Sequence, residues 1–261
     1  MLNHLWQSTI FFAAAWILTL ALRRNSAALR FRIWLAASLK FLIPVAALMT
    51  IGEQFERPAP PTPAVRLIAH ATQPFPPSEP IQFVSKSEDE PRNWLLMLWI
   101  LGATMSAGSW SRQWIRSRRI VRESAAAGFI ETIPIRKSSL QVEPGIFGIF
   151  KPTLILPEGI ERRLSDAQMD AILAHELAHV RRRDNLTSAI HAVVETLFWF
   201  HPAVWMIRWN LNEERERACD EAVIAQSDPD AYAEGILNVC RFYLESKSAC
   251  VSGVSGGNLK K

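Results

Sequence analysis

The chain has 261 residues, enough for one or two ordinary domains. Hydrophobic residues make up 49% of it, with ten tryptophans, and they gather in blocks, which points to a membrane protein rather than one large soluble core. The net charge of +4 is modest, the arginines flank the apolar blocks, and no basic stretch interleaves with aromatics in a recognised module, so direct nucleic-acid binding is not expected.

In chain order, the N-terminus "MLNHLWQSTIFFAAAWILTLALRR" carries its positive charge after the apolar run and not before it. That is the pattern of a retained anchor, not of a cleaved signal peptide. Residues 5–22, 34–51 and 94–110 are apolar segments of 17 or 18 residues, close to the length a helix needs to cross a bilayer. Arg23, Arg24, Arg30 and Arg32 follow the first segment with no acid among them. Arg112, Arg116, Arg118, Arg119 and Arg122 follow the third, with Glu123 the nearest acid. The loop at about 52–92 has six acids against four bases and a proline run, "PAPPTP". An excess of Lys and Arg marks the cytoplasmic side. The expected arrangement is therefore an outside N-terminus, three crossings over 1–110 with the Pro-rich loop outside, and a cytoplasmic region over 111–261. The Pro-rich loop reads as an extended spacer or, less simply, a ligand-binding loop. Lys40 lies midway in the second segment, where it must snorkel, pair, face a bundle interior or serve in transduction. Cys219, Cys240 and Cys250 make an odd number without paired spacing, which suits a reducing compartment.

The cytoplasmic region opens with an arginine-rich helix continuing the third segment. "IPIRKSSLQVEPGIFGIFKPTLILPEGI" then suggests two or three short strands, because β-branched and aromatic residues alternate with "PG", "FG" and "KP" turns. The stretch from Ile146 to Leu156 is a candidate for binding an extended substrate by strand addition. Ser165 as N-cap with Gln168 three residues on predicts a capping box opening the next helix.

That helix carries "AILAHELAHVRRRDN". His175 and His179 are one turn apart on one face, so both rings can reach one ion. Glu176 is turned by about 100° from His175, where it can hold a water activated by the metal. Leu173, Leu177 and Val180 form the opposite, buried stripe. H-E-x-x-H on a helix is the pattern of a Zn2+ site with glutamate as general base. The alternative is a chance arrangement on an ordinary amphipathic helix, which six histidines in 261 residues make rare. "RRRD", Arg181 to Asp184, most simply extends the helix and meets acidic groups or lipid phosphates. Asp184 is also a candidate to orient a ligand histidine.

A catalytic zinc takes a third protein ligand and keeps one position open. "NLNEERERACDEAV" supplies Glu213, Glu216 and Asp220 on one helical face. Glu216 reads as the ligand and Asp220, one turn on, as a carboxylate that orients a ligand histidine. Glu213 is the other candidate ligand, and a solvated face of pairs with Arg215 and Arg217 is the bland reading. Cys219 reads as a packed thiol before a ligand. Between the two motifs, residues 186–209 are apolar enough for a fourth crossing, but a crossing would part Glu216 from the histidines. Pro202 breaks the segment after "FWFH", so two helices or a bent one are expected, packed in the peptidase core or at the inner leaflet. His201 is a capping or packing histidine, or a possible stabiliser of a transition-state oxyanion.

"HELAHVRRRDN", "FWFHPAVW" and "ERERACDEAV", with "EPGIFGIFKPTLILPEGI" and the N-terminal "LWQST…ASLKFLIP", resemble the BlaR/MecR family of membrane-embedded zinc peptidases. The likeness covers nearly the whole chain except the Pro-rich loop. It implies a mainly α membrane protein with a cytoplasmic α+β gluzincin-like zinc protease domain and a small sheet, in a bacterial-type inner membrane. It further implies His175, His179 and Glu216 as Zn2+ ligands, Glu176 as base and Asp220 as the acid of an E-x-x-x-D element. In characterised members an outer sensor domain binds a β-lactam, and proteolysis leads to loss of a cytosolic repressor and expression of resistance genes. This sequence ends at Lys261 without that domain, so a truncated chain or a sensorless relative is expected. A regulatory endopeptidase with a protein substrate, such as a transcriptional repressor, is the leading reading. A constitutive processing or quality-control protease resembling the CAAX-protease and HtpX groups is the second. The third is a non-catalytic membrane transducer with a structural zinc, against which the intact Glu176 argues.

Overall fold

The computed structural model describes residues 2–43, 91–140 and 142–245. Helix α1, Leu2–Ala21, uses the first apolar run and ends where "RRNS" begins. Helix α2, Ala27–Leu42, follows Ser26. The Ser26 side chain makes no cap, and the first amide of α2, Ala27 N–H, donates instead to the Glu221 carboxylate, at 2.9 and 3.1 Å from its two oxygens. The Pro-rich loop and the end of the second predicted crossing lie outside the described residues. Lys40 donates to the carbonyl of Ile43 at the end of α2. Helix α3, Pro91–Glu123, runs unbroken for 33 residues from the third apolar segment through the arginine-rich stretch, as the sequence suggests.

Four strands follow: β1 Ala125–Ile130, β2 Ile133–Ser138, β3 Gly145–Phe147 and β4 Thr153–Pro157. Three lie in the stretch read as strands. The fourth, β1, is "AAAGFI", whose alanines and glycine carry little strand propensity. It forms by antiparallel pairing with β2 across a tight turn in which Glu131 takes a left-handed φ of 53°. The sheet order is β1-β2-β4-β3, with β2 and β4 parallel and both outer pairs antiparallel. Every residue of β4 is buried, so this interior strand is apolar along both faces.

Helix α4, Asp166–Arg182, opens on the complete Ser165/Gln168 capping box. Of "RRRD", only Arg181 and Arg182 extend it. Arg183 turns left-handed (φ 57°) and closes α4, and Asp184 begins helix α5, Asp184–Leu197. Residues 198–201 break the chain, and Pro202 starts helix α6, Pro202–Ile224, at a position where its missing N–H is harmless. Helix α7, Pro229–Glu245, packs back on α4.

Among the described residues two apolar cores result. One joins Leu154 and Leu156 of β4, Ala171, Ile172 and Leu177 of α4, Val223 of α6 and Tyr232 of α7, with Leu173 and Val180 partly buried against it. The other joins Ala15 of α1 and Phe31, Trp34, Ala37 and Phe41 of α2 to Val194 of α5 and Val204, Ile207 and Leu211 of α6. The cores thus do not divide the chain at residue 110. Residues 186–209 fall in two helices, and the buried apolar residues of this stretch cluster with α1 and α2 and not with β4 and α4. They form a hairpin inserted among the N-terminal helices, because Val194, Val204 and Ile207 find their apolar partners on α2.

The hairpin tip meets the far ends of α1 and α2. His201 Nε2 and the Thr9 hydroxyl are 3.2 Å apart, and the Phe198 ring lies against Phe41 and His4. Indole donors satisfy carbonyls freed at the break. Trp99 Nε1 donates to Leu197 O at 3.0 Å and Trp205 Nε1 to Trp199 O at 2.7 Å. Backbone carbonyls left without a helical partner need such donors. Gly102 of α3 is where the Trp199 ring seats, since a Cβ there would collide with it. Among the described residues one helix, over Asn3–Ala21, is long and apolar enough to cross a membrane. Large apolar side chains are also exposed along α3 from Trp94 to Met105, and at Trp205 and Trp209 of α6.

Candidate metal centre

The H-E-x-x-H spacing aligns two rings on α4, and the packing of α6 beside α4 brings a carboxylate to them. His175 Nε2 and His179 Nε2 are 3.2 Å apart, and Glu216 Oε2 is 3.6 Å from each. A triangle of these sides has its centre about 2.0 Å from every corner, within the roughly 2.0–2.2 Å of zinc–nitrogen and zinc–carboxylate bonds. The donor set, two imidazoles and one carboxylate, suits Zn2+ with a position left open. Among the described residues these three also form one of two groups with the donor atoms and spacing to hold a metal.

The remaining ring nitrogens are held from behind. His179 Nδ1–H donates to Asp184 Oδ2 at 2.8 Å, and Asp184 is only 1% exposed. His175 Nδ1 lies 3.2 Å from Asp220 Oδ1 and donates to the Tyr232 oxygen at 2.7 Å, while the Tyr232 hydroxyl donates to Asp220 at 2.6 Å. Both rings are thereby fixed with Nε2 facing Glu216. Cys219 Sγ is buried 3.4 Å from His179 Nδ1. The second group, His179, Asp184 and Cys219, meets the ring on this rear side, where Asp184 and the thiol support the imidazole.

The electrostatics follow from burial and these contacts. Burial lowers the proton affinity of His175, but hydrogen bonds with Asp220 and Glu216 outweigh it and raise the pKa to about 9. Burial likewise opposes the charge on His179, and its bonds to Asp184, Cys219 and Glu216 raise it to about 12. Glu216 resists ionisation by burial, yet both histidines and Arg215 hold its carboxyl far below the usual carboxylate range. Glu176 behaves oppositely. Burial pushes its carboxyl up to about 7, against the pull of the two histidines. Burial and Asp220 push the Tyr232 hydroxyl up, and burial raises the Cys219 thiol.

The structure brings together His175, Glu176, His179, Glu216, Asp184 and Asp220. It does not bring Glu213, which pairs with Arg217. Nor does it bring His201, which holds the N-cap position of α6 at the hairpin tip without a side-chain cap bond, fifteen residues or about 22 Å along the helix from Glu216. An oxyanion-stabilising role for His201 at this centre is thereby excluded by distance. The strand-addition idea narrows as well. Strand β4 is interior, so β3 is the edge beside α4, and its Ile146 carbonyl already accepts from Asn185 Nδ2 at 3.0 Å. Tyr232 was not foreseen. It is one of two tyrosines in the chain, and only the docking of α7 on α4 reveals it. Also unforeseen is the clasp of α2 on α6, Arg30 Nε to Glu214 Oε2 at 2.8 Å with both side chains buried.

The family model described as BlaR1 peptidase M56 matches residues 1–260. The methicillin resistance mecR1 protein of Staphylococcus aureus is 24% identical over 161 residues, covering 55% of this chain and 28% of that protein. Regulatory protein BlaR1 of Bacillus licheniformis is 33% identical over 112 residues, 42% of this chain and 18% of its own length. A protease HtpX homolog of Methanopyrus kandleri is 39% identical over 56 residues, 22% of this chain and 18% of its own. The chain spans less than a third of the length of each of these relatives.

Proposed function

The chain belongs to the BlaR1 peptidase M56 family, and from that premise we propose that it is a membrane-embedded zinc endopeptidase that cuts a protein in signal transduction. The observation that carries the reading is the triangle of His175 Nε2, His179 Nε2 and Glu216 Oε2 with buried Glu176 beside it. His175, His179 and Glu216 would hold the ion. Zinc, when bound, supplies Lewis-acid polarisation of a carbonyl and lowers the pKa of water. Glu176 takes the proton of the attacking water on its carboxylate and returns it to the leaving amine. A carboxyl held near 7 suits both halves of that task at neutral pH. Asp184 fixes the His179 tautomer, and Asp220 with Tyr232 fixes that of His175. Asp184→Asn or Asp220→Asn is expected to weaken zinc binding by about 10–100-fold, read by competition with a chromogenic chelator. Binding as tight as in the parent chain would remove these two acids from the site.

The relatives include proteins named for regulation and for methicillin resistance, which supports a regulatory protein as the substrate class. A cytosolic repressor-like protein is the substrate we propose. The likeness to HtpX proteases favours a second reading, a quality-control or processing enzyme. Cleavage of a repressor-like neighbour supports the first, and cleavage of unfolded membrane proteins without it supports the second.

The topology we propose has the α1 N-terminus outside, the metal centre on the cytoplasmic side, and α5–α6 as a hairpin that enters and leaves the membrane on that side. The arginines beyond the apolar segments and the exposed apolar belt on α3 support it. In a chain lacking Cys240 and Cys250, a cysteine at Asp228 should react with a membrane-impermeant maleimide only from the cytoplasmic face. A cysteine at Phe200 should be protected from both faces. Rapid labelling of the Phe200 position from outside would turn the hairpin into a crossing.

A further inference from the structure

Glu216 offers the two histidines a single oxygen. Its Oε2 stands 3.6 Å from each Nε2, whereas Oε1 is turned away and accepts from Arg215 twice, from Nε at 3.0 Å and from Nη2 at 2.9 Å. The remaining guanidinium nitrogen, Nη1, donates to Ser188 Oγ at 3.0 Å. Ser188 lies one turn beyond Asp184 on α5, so one helix face steadies both His179 and, through Arg215, Glu216. The other arginine of this turn, Arg217, is engaged with Glu213 and Glu214.

A carboxylate oxygen has two acceptor sites, and both on Oε1 are filled by one planar fork. We propose that Arg215 is a positioning residue that restricts Glu216 to ligation through Oε2 and so keeps a coordination position free for water and substrate. The inference rests on the metallopeptidase reading above. A catalytic zinc site needs that open position, and a glutamate with two free oxygens can occupy it. Arginine suits the task because its donors diverge in a rigid fork, whereas a lysine offers one nitrogen to one oxygen.

The test uses the full chain in lipid nanodiscs, stripped of metal and loaded with Co2+ or Zn2+, with Arg215→Ala, Arg215→Lys and Ser188→Ala. Arg215→Ala is expected to keep about one metal per chain while kcat falls about 10–100-fold with KM little changed. Its visible Co2+ absorption should weaken as coordination number rises. Arg215→Lys should lie between it and the parent, and Ser188→Ala should shift the same way by less. If Arg215→Ala does not fold, the Lys and Ser188 variants carry the comparison. Metal loss in step with activity, or an unchanged Co2+ spectrum, overturns the proposal. A parent chain that binds Co2+ but cuts no protein overturns the peptidase reading alone, and the spectral comparison still decides the role of Arg215. A parent chain that takes up no metal overturns both.

Discussion

Replacing Glu176 by alanine is expected to leave about one zinc per chain and to lower cleavage by about 10²–10⁴-fold, the range of a lost general acid–base. The two effects separate because Glu176 sits about 100° round α4 from His175, outside the ring-to-Glu216 triangle. Glu176→Gln keeps the shape and tests the proton alone. It should be nearly as inactive, since an amide cannot accept and return a proton at its oxygen. Metal content by mass spectrometry and turnover on a peptide or repressor-like substrate give both readouts. Cleavage undiminished in either variant would end the assignment of Glu176 as base. Loss of metal in both would make it a structural member of the cluster.

The second large effect lies away from the chemistry. Arg30 on α2 and Glu214 on α6 form an ion pair at 2.8 Å, each side chain 8% exposed. Arg30 also donates to the carbonyls of Arg23 and Asn25, and Glu214 accepts from Arg217. Glu214→Ala would leave a buried guanidinium without its counter-charge, at a cost of about 3–5 kcal/mol. A clear fall in melting temperature in detergent is the expected reading, with reduced zinc retention because Glu216 lies two residues on. The double variant Arg30→Met with Glu214→Leu should recover much of the loss, since a packed apolar pair is often as stable as a buried ionic one. Melting of Glu214→Ala at the parent temperature would mean that water reaches Arg30.

What the sequence made readable is what depends on local spacing. His175 and His179 share a face because they are four apart, Ser165 and Gln168 cap because they are three apart, and Pro202 starts a helix because it lacks an N–H. What it hid depends on contacts between distant segments. Arg30 and Glu214 are 184 residues apart, and nothing in either neighbourhood marks the pair. Tyr232 reaches His175 across 57 residues. Strand β1 carries alanines and is made by its partner. Hydropathy alone could not place residues 186–209, since an apolar face looks the same whether lipid, a domain core or other helices cover it. His201 reads first as a capping or packing histidine and second as an oxyanion stabiliser, and its position at the hairpin tip sets it apart from the cluster on α4.

Helix α6 belongs to both apolar cores, with Val204 and Ile207 buried in one and Val223 in the other. A rod of 23 residues cannot fray in its middle without costing both ends their packing, so the two cores are expected to melt in one cooperative transition. Amide hydrogens in the centre of α6 should then exchange only through global unfolding, and the slowest of them should bracket Glu216. A disturbance at the hairpin tip is therefore not confined to the core shared with α1 and α2. It is expected to pass along a stiff lever to Glu216.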